Sequence, residues 1–475
     1  MAILAIDQGT TSTRALQLSD SGTVKIVQSI EHQQFYPQAG WVEHDPEELI
    51  QNIQRCIDSG EDIEAIGIDN QGESCLAWNA ESKQAICPVI VWQDNRTQEF
   101  INKLKSDTIQ ELVLEKAGLP LDSYFSAARF SWIMKNVPEA KQLLNRGKLR
   151  LGTTDAFFLD RLANRFATDI STASRTSLMN LHSGRWDEEL CAIFGVPMEA
   201  LPEICCTNGS FGEIQSNGRP IPVTANVVDQ QAALFGNGCR NTGDAKITFG
   251  TGAFTLAITG DTPYQASEQG LLPTVAWQLE GEKPVYALDG GVFSAGSAIN
   301  WAKTLGLFTS YEQIQQFDNA QGSAIERDLV FVPALSGLGC PHWDRKAGGL
   351  WIGLSLDTQA MDLMQSILEG IVFRTAEVIA AMDTFVPIKN QISIDGGLSK
   401  NPYFCQFLAD VLDLQVVVQL SAELTALGTA NLAAGKTMED PSSSNAIQCY
   451  SPIKDKRQYL EKFKDAVNRS THWLS

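Results

Sequence analysis

The sequence lacks the cysteine arrangements that mark a disulfide framework or a zinc site. Ten cysteines are present, but no CxxC pair occurs, and the adjacent Cys205 and Cys206 cannot form an unstrained disulfide. No GxxxxGK[ST] motif occurs either, which excludes a P-loop nucleotide site. No stretch reaches the roughly 18–20 apolar residues of a membrane-spanning helix, and the N-terminus has no basic, signal-like region. These absences predict a soluble, cytoplasmic protein with reduced thiols.

Positive charge is also scarce. The sequence has 36 lysines and arginines against 56 aspartates and glutamates, so its net charge is −20 and its pI is about 4.7. Such a surface repels nucleic acid and anionic membranes, and we expect neither as a partner. It also repels nucleotides, so a phosphate site in this chain needs its own donors, metal or arginine. The 475 residues, 44% of them hydrophobic, predict a globular protein of two or three domains.

Strand-like and helical segments alternate along the chain, which is typical of α/β architecture. The segment DPEELIQNIQRCID predicts a helix, because Asp45 suits the N-cap and Pro46 suits the first helical position. The clearest early strand-like runs are Ile3–Ile6, Ala15–Leu18, Val24–Ile30 and Ile63–Ile68.

The first predicted hairpin carries an unusual set of polar residues. The apolar run ILAI is followed by DQGTTSTR, which holds Asp7, Thr10, Thr11, Ser12 and Arg14. A plain turn needs no row of hydroxyls that ends in a cation. A polyphosphate does, because N–H and O–H groups donate to its oxygens, a carboxylate holds its Mg²⁺ and an arginine balances its charge. The hairpin therefore predicts a phosphate-binding turn.

The same pattern returns about half the chain later. AKITFGTGAFTLAIT, residues Ala245–Thr259, is again an apolar strand, a Gly-Thr turn and a second strand. Two such hairpins predict two related halves that face one another, each contributing a phosphate-binding turn to a central cleft. Gly-Thr hairpins are common, however, and either one alone is equally consistent with an ordinary turn.

Two further segments place polar residues at the ends of strand-like runs. In IPVTANVVDQQAALFG an apolar run ends at Asp229 and Gln230, where the carboxylate is either a helix N-cap or a chemical group. Within residues 63–97, Glu73 follows one strand-like run and Trp92 follows another.

With these segments the chain resembles the FGGY family of carbohydrate kinases, and within it the glycerol kinases. The resemblance implies an α/β fold of two actin-like (ribonuclease H-like) domains with a nucleotide cleft between them. It places a polyol-binding N-terminal domain at residues 1–240 and a nucleotide-binding C-terminal domain at residues 241–475. The matching phrases run in order along nearly the whole chain: DQGTTSTRA, GWVEHDPEE, VIVWQDNRT, GLPLDSYFSAARFSWI, DQQAALFG, FGTGAF, FSAGSAINW, VPALSGLGCPHWD, DGGLSKNP and TALGTA.

The resemblance also implies an activity, the transfer of a phosphoryl group from ATP to a terminal hydroxyl of a small polyol with the help of Mg²⁺. Asp229 matches the catalytic base, and Asp7 and Asp229 match the carboxylates near Mg²⁺. The polyol site matches Gly72, Glu73, Trp92, Tyr124, Asp229, Gln230 and Phe254. The nucleotide and phosphate site matches Thr10, Thr11, Ser12, Arg14, Thr251, Gly252, Gly296, Asn300, Gly397 and Asn401.

One position departs from the glycerol kinase pattern. Those enzymes carry an arginine directly before the glutamate that binds glycerol, whereas this chain has Gly72 before Glu73. Glycine supplies none of an arginine's charge-assisted hydrogen bonds, each worth roughly 1.5–3 kcal/mol. Either glycerol binds with water or another side chain in the gap, or the pocket accepts a tetritol, pentitol or ketose, or Gly72 only serves a turn with positive φ. Glycerol, giving glycerol 3-phosphate, is the main expectation.

Further expectations concern regulation, assembly and a rival function. The counterpart of the family's fructose-bisphosphate loop is the short GEIQSNGRPIPV, and CCTNGSFGEI lacks the histidine used for phosphotransferase control. We therefore expect neither control.

Members of the family are often dimers or tetramers, so the resemblance implies a homo-oligomer. The rival function is that of a non-catalytic, actin-like ATP sensor, which would bind or hydrolyse ATP without a polyol.

Overall fold

The computed structural model describes residues 2–317, 322–419, 423–435 and 447–474. The early strands predicted from the sequence all form. The predicted helix begins at Pro46, and the side chain of Asp45 caps it by accepting a hydrogen bond from the backbone N–H of Glu47. No helix within the described ranges is long and apolar enough to cross a membrane.

The first part of the chain, through residue 236, is rich in short strands. These strands are β1 (Ala2–Gln8), β2 (Ser12–Ser19), β3 (Val24–Glu31), β4 (Glu43–His44), β5 (Ile63–Asn70), β6 (Cys75–Asn79), β7 (Val89–Ile90), β8 (Leu149–Thr153), β9 (Ala167–Asp169), β10 (Met179–Asn180), β11 (Arg185–Trp186), β12 (Glu203–Cys205), β13 (Glu213–Ser216) and β14 (Arg219–Val228). The helices are α1 (Pro46–Asp58), α2 (Gln98–Leu104), α3 (Asp107–Ala117), α4 (Ser126–Asn136), α5 (Pro138–Asn145), α6 (Thr154–Leu162), α7 (Ile170–Ala173), α8 (Glu188–Phe194) and α9 (Asp229–Gly236), with a 3₁₀ turn at Met198–Ala200.

The central sheet of this part has the strand order β13-β14-β5-β1-β2-β3. Strands β1, β2 and β3 form an antiparallel meander, whereas β5 and β14 run parallel to β1. The carboxyl ends of β1, β5 and β14 therefore meet at one edge. The register sets Asp7 beside Asp69, and Asp229 follows directly after β14 as the first residue of α9. This edge thus gathers three carboxylates.

The second part of the chain has its own sheet and longer helices. Its strands are β15 (Ala245–Phe249), β16 (Ala253–Gly260), β17 (Leu272–Trp277), β18 (Val285–Val292), β19 (Val330–Val332), β20 (Leu350–Ile352), β21 (Gln391–Gly396), β22 (Gln415–Gln419) and β23 (Ile447–Tyr450). Its helices are α10 (Gly296–Thr304), α11 (Ala360–Asp383), α12 (Pro402–Leu412), α13 (Leu424–Ala433) and α14 (Leu460–Ser470). Its 3₁₀ turns are Ser267–Gln269, Tyr311–Ile314, Ile325–Arg327, Gly397–Lys400 and Arg457–Tyr459.

The second sheet repeats the plan of the first. Its order is β17-β18-β16-β15-β21-β22-β23, in which β15, β16 and β18 are antiparallel neighbours and β21 and β22 run parallel to β15. The same succession of three antiparallel and two further parallel strands occurs in both sheets, as the repeated Gly-Thr hairpins predict. The largest apolar core lies between this sheet and α11, α12 and α14. The predicted domain bounds, 1–240 and 241–475, stay a prediction.

Helix α13 belongs to the second part of the chain but packs against α9 and the first sheet. The contact is made backbone to backbone. A Cβ added at Gly236 would lie 1.9 Å from the carbonyl oxygen of Leu424, and one added at Gly428 would lie 1.9 Å from that of Ala232. Only glycine permits so close an approach. The pair of glycines therefore fixes the position of α9, the helix that begins at Asp229.

We expect Gly236→Ala to lower the free energy of unfolding by about 3 kcal/mol or more, because overpacking against a rigid backbone forces the two helices apart. Urea denaturation measures this difference. Gly397→Ala is the matched control, since a Cβ added at Gly397 meets nothing within 4 Å. Equal midpoints for the wild type and Gly236→Ala would contradict the close contact of α9 with α13.

Candidate active site

A cavity of about 160 Å³ lies at the start of α9. It brings together every residue that the resemblance assigned to the polyol, although these residues are spread over more than 180 positions of the chain. They are Gly72, Glu73, Trp92, Tyr124, Asp229, Gln230 and Phe254. The lining also includes Thr10, from the first Gly-Thr hairpin. The cavity therefore joins the predicted polyol site to one predicted phosphate turn.

Glu73 is held in a strained conformation on the wall of this cavity. Its φ of 61° lies in the left-handed region, which costs a residue other than glycine about 1–3 kcal/mol. Its carbonyl oxygen accepts hydrogen bonds from Ser126 Oγ at 2.8 Å and Arg129 Nη1 at 3.1 Å, both from α4. Burial raises the pKa of the Glu73 carboxyl, and the charge of Arg175 opposes that rise. The two hydrogen bonds hold the Glu73 backbone on the wall of the cavity.

Gly72 does not have the conformation that one interpretation of the sequence required. Its φ is not positive, so the idea that it serves a turn with positive φ is wrong; the left-handed residue is its neighbour Glu73. A Cβ added at Gly72 would lie 3.1 Å from Val228 Cγ1, which is a tight contact. A larger side chain here would therefore press on Val228, the residue that precedes Asp229.

The aromatic wall of the cavity is hydrogen-bonded to the first Gly-Thr hairpin. Trp92 Nε1 donates a hydrogen bond to Thr10 Oγ1 at 3.0 Å. The ring of Trp92 meets that of Tyr124 edge to face, with their centroids 5.9 Å apart. The indole thus presents a fixed apolar surface between the polyol residues and the turn at Thr10.

Asp229 combines a position at the start of a helix with a half-buried carboxyl. It is the first residue of α9 and Val228 occupies the N-cap, so the interpretation of Asp229 as an N-cap is wrong. The backbone N–H of Gln230 donates to Asp229 Oδ1 at 2.6 Å. Burial, together with the charges of Asp7 and Glu73, raises the pKa of Asp229 from 3.8 to about 7. A carboxyl with that pKa is suited to accept a proton near neutral pH.

Asp7 and its neighbours supply further charge at the same sheet edge. Burial raises the pKa of Asp7, and it raises that of Asp69 well above its ordinary value, with the charge of Asp7 adding to the shift. Arg14 faces Asp7 across the β1–β2 ladder and pairs with Glu423 at 3.0 Å. The residues beside β1 therefore carry more buried negative than positive charge.

The carboxylates of Asp7 and Asp229 fit a Mg²⁺ ion. Among the residues described, no group of three or more His, Cys, Asp or Glu side chains could hold a metal by itself. Mg²⁺ is usually bound through only one or two carboxylates, with waters and phosphate oxygens completing its shell. Burial and the charge of Asp7 raise the pKa of Asp229, and a cation bound to these carboxylates would oppose that rise.

A second cavity, of about 470 Å³, lies on the other side of the second Gly-Thr hairpin. The hairpin is fastened to the start of α10, because the backbone N–H groups of Ala295 and Ser297 donate to the carbonyl oxygen of Thr251 at 3.0 Å. The predicted nucleotide residues that line this cavity are Thr251, Gly296, Asn300, Gly397 and Asn401.

The remaining predicted phosphate residues lie outside the linings of these two cavities. Gly252 occupies a close contact, since a Cβ there would lie 2.6 Å from the carbonyl oxygen of Val292. Thr11 and Ser12 lie in the first hairpin beyond Thr10, where the N–H of Gly9 donates to the Ser12 carbonyl at 3.0 Å. Their roles stay predictions.

Sequence reasoning missed two charged residues of the polyol cavity. Arg175 follows α7 and donates from Nε to Glu73 Oε1 at 2.7 Å and from Nη2 to Asp289 Oδ2 at 3.1 Å. Asp289 lies in β18, so this arginine links the two parts of the chain. The available signals were weak: a lone arginine in the hydroxyl-rich STASRTS, and an aspartate before two glycines in LDGG.

Comparison with known proteins decides the family. The N-terminal domain of the FGGY family of carbohydrate kinases matches residues 2–236, and its C-terminal domain matches residues 245–436. The chain belongs to the FGGY family of carbohydrate kinases. A glycerol kinase of Bdellovibrio bacteriovorus is 41% identical to this FGGY kinase over 91% of this chain and 90% of its own. One of Chromobacterium violaceum is 38% identical over 91% of this chain and 88% of its own.

A solved structure agrees with the sequence comparison. Plasmodium falciparum glycerol kinase with ADP superposes on this FGGY kinase with a TM-score of 0.92 and 29% identity, over 99% of this chain and 98% of that one. The predicted family and the predicted α/β fold with two actin-like domains are confirmed.

Because the pKa of Asp229 is raised, we expect the free energy of unfolding to depend on pH when a chelator is present. Because its pKa is higher in the folded chain, the folded state keeps a proton that the unfolded state releases, and stability falls as pH rises from about 4 to 7. Asp229→Asn removes this cost. At about 1.4 kcal/mol per pKa unit, we expect the variant to be about 2–4 kcal/mol more stable than the wild type at pH 8 and similar to it at low pH.

Urea denaturation at several pH values measures this difference. The control is Asp465→Asn, in an exposed ion pair with Arg469 on α14, which should change little at any pH. If Asp229→Asn were less stable than the wild type at pH 8, the ionised Asp229 carboxylate would not destabilise the fold as its raised pKa implies.

Proposed function

We propose that this FGGY kinase transfers the γ-phosphoryl group of ATP to a terminal hydroxyl of glycerol, forming glycerol 3-phosphate. The observation that carries the proposal is the single cavity that collects all seven predicted polyol residues around Asp229. Its volume of about 160 Å³ suits a small polyol. The glycerol kinases among its relatives support the same substrate.

In this proposal Asp229 is the catalytic base. Phosphoryl transfer passes through a loose transition state, so the protein mainly positions the reactants and neutralises charge. The terminal hydroxyl becomes acidic as its oxygen bonds to phosphorus, and Asp229 then accepts the proton. Glu73, Tyr124 and Gln230 hold the other hydroxyls, while Trp92 and Phe254 contact the C–H faces of the polyol.

The nucleotide side of the proposal uses the larger cavity behind the second hairpin. Its volume of about 470 Å³ accommodates a nucleoside, with Asn300 and Asn401 on its wall. Hydroxyl and N–H groups of the two hairpins donate to the phosphates, and Arg14 offsets the negative charge of the phosphates. These donors belong to Thr10, Thr11, Ser12, Thr251 and Gly252. Asp7 and Asp229 would hold Mg²⁺, which would neutralise negative charge on the phosphate oxygens. Closure of the two halves would exclude water, the competing acceptor.

A longer polyol or ketose is the alternative substrate, and one observation favours it. A further cavity of about 440 Å³ adjoins the polyol cavity and shares Trp92, Tyr124, Arg175, Phe254 and Asp289 with it. A tetritol, pentitol, ribulose or xylulose could extend into that space. A homo-oligomer and a cytoplasmic location remain predictions.

Asp229→Asn tests the assignment of the base. General-base catalysis contributes about 10²–10⁴-fold, so we expect kcat for polyol phosphorylation to fall at least about 100-fold. Binding of ATP, measured by calorimetry, should stay within about threefold of the wild type. Asp465→Asn, far from the cleft, is the control and should keep full activity. Wild-type turnover in Asp229→Asn would show that another group takes the proton.

A substrate panel separates the kinase from the ATP sensor and glycerol from longer polyols. ADP release is followed with no polyol and then with glycerol, erythritol, ribitol, dihydroxyacetone, ribulose or xylulose. We expect slow ADP release without polyol, strong stimulation, and the highest kcat/KM with glycerol. Equal rates with and without polyol would favour the sensor. If a four- or five-carbon substrate has a higher kcat/KM than glycerol, that compound becomes the assigned substrate in place of glycerol.

A further inference from the structure

Strand β15 carries a lysine, Lys246, whose side chain is fully buried. Its Nζ donates hydrogen bonds to Gln230 Oε1 and to Thr248 Oγ1, both at 2.7 Å. Burying an ammonium group is costly unless it is hydrogen-bonded, and lysine has donors but no acceptor. The two oxygens therefore stabilise Lys246 in its buried position.

Lys246 lies on the face of the second sheet that borders the polyol cavity. Side chains alternate between the two faces along a strand, and directly opposite residues of antiparallel neighbours share a face. The register pairs Lys246 with Leu256 in β16, and Leu256 with Asp289 in β18. Leu256 and Asp289 are among the described residues that line the 160 Å³ cavity, whereas Lys246 is not. Lys246 contacts this lining through Gln230, which belongs to it.

The hydrogen bond between Lys246 and Gln230 joins the two parts of the chain. Gln230 is the second residue of α9 and follows Asp229 directly, whereas β15 belongs to the second sheet. The backbone N–H of Gln230 donates to Asp229 Oδ1 at 2.6 Å. Gln230 thus contacts the proposed base through its backbone, and the second sheet holds it through its side chain.

The lysine determines which way the Gln230 amide faces. A glutamine amide has one accepting oxygen and one NH₂ group that donates, whereas an ammonium group only donates. If the amide turned through half a rotation, its NH₂ group would face Nζ, and the buried ammonium would lose an acceptor, which is unfavourable for a charged group. The amide oxygen is therefore kept toward Lys246 and the NH₂ group is kept away from it.

The NH₂ group of Gln230 is available to a ligand. Within the residues that the structure describes, Nε2 has no hydrogen-bond partner, yet it is not one of the unpaired atoms that are closed off from solvent, so it keeps accessible surface. The cavity that Gln230 lines also holds the carboxyl groups of Glu73, Asp229 and Asp289, which only accept when ionised. A polyol hydroxyl both donates and accepts, so a donor beside these carboxylates complements them.

We propose that Lys246 is a positioning residue of the polyol site, which holds the Gln230 amide so that its Nε2 donates a hydrogen bond to a non-reacting hydroxyl of the polyol. The inference rests on the proposed polyol kinase activity. It gives the second sheet a part in polyol binding through a residue that does not itself touch the substrate.

A double-mutant cycle tests whether Lys246 acts through Gln230. The KM for glycerol is measured for the wild type, Lys246→Met, Gln230→Met and the double variant, because methionine has a similar length but lacks the donors and the acceptor. We expect each single substitution to raise this KM at least about fivefold, as for loss of a hydrogen bond to a buried group. The KM for ATP should stay within about threefold of the wild type. In the Gln230→Met background, Lys246→Met should raise the KM for glycerol by less than about twofold, because the amide that it positions is already absent.

Lys389→Met is the control and should keep the wild-type KM, since the Lys389 side chain is 51% exposed and its Nζ lies 3.7 Å from Asp244 Oδ1. The charge of Lys246 also lowers the pKa of Asp229, but this effect occurs in both Gln230 backgrounds and cancels from the comparison. An unchanged KM in Lys246→Met, or an equal rise in both backgrounds, would show that Lys246 does not act through Gln230 and would overturn the inference.

A crystal structure of the wild-type enzyme with glycerol gives a test that does not depend on a variant folding. We expect a glycerol oxygen within about 3.2 Å of the Gln230 amide nitrogen, while the amide oxygen stays bonded to Lys246. A glycerol bound beside Asp229 with no oxygen at the Gln230 amide would overturn the inference and leave the kinase assignment intact. An enzyme that neither binds nor phosphorylates any polyol would overturn the proposed function, and this inference with it.

Discussion

The gathering of three carboxylates at the carboxyl ends of β1, β5 and β14, one of them buried and two half-buried, is the constraint on which the cleft depends. Asp7, Asp69 and Asp229 come from three separate segments, and only a sheet with these parallel neighbours brings them to one edge. Burial raises the pKa of all three carboxyls, and the negative charge of Asp7 adds to the rise at Asp69 and at Asp229. The fold holds this arrangement through packing elsewhere, and the same strain makes Asp229 a better proton acceptor near neutral pH.

That packing is a backbone contact between two helices from different parts of the chain. Gly236 and Gly428 let α9 and α13 approach closely, and Gly67 in β5 lets α13 approach the sheet, where a Cβ would lie 2.8 Å from the carbonyl oxygen of Thr429. The hydroxyl of Thr429 donates to Asp69 Oδ2 at 2.6 Å, so the same helix also satisfies one of the buried carboxyls. Helix α13 thus positions α9 and partly compensates the charge beside it.

Much of the fold and of the site was predictable from the sequence. The apolar runs around DQGTTSTR and FGTGAF predicted two related halves, and the two sheets share one plan. The seven polyol residues that the resemblance named all line the smaller cavity. Arg175 was not predictable, because it lies 102 positions from Glu73 and no local pattern connects them. The left-handed φ of Glu73 was also missed, since glycine beside it was the more natural candidate for that conformation.

In the proposed mechanism, the polyol lies on one side of Asp229 and the nucleotide phosphates approach from the other side. The most direct test is the identity of the phosphorylated product, followed by ³¹P NMR during turnover of ATP with glycerol. We expect one phosphomonoester, on a terminal carbon of glycerol, formed in an amount equal to that of ADP. Release of inorganic phosphate in place of that ester would contradict it, because water and not the bound hydroxyl would then be the acceptor.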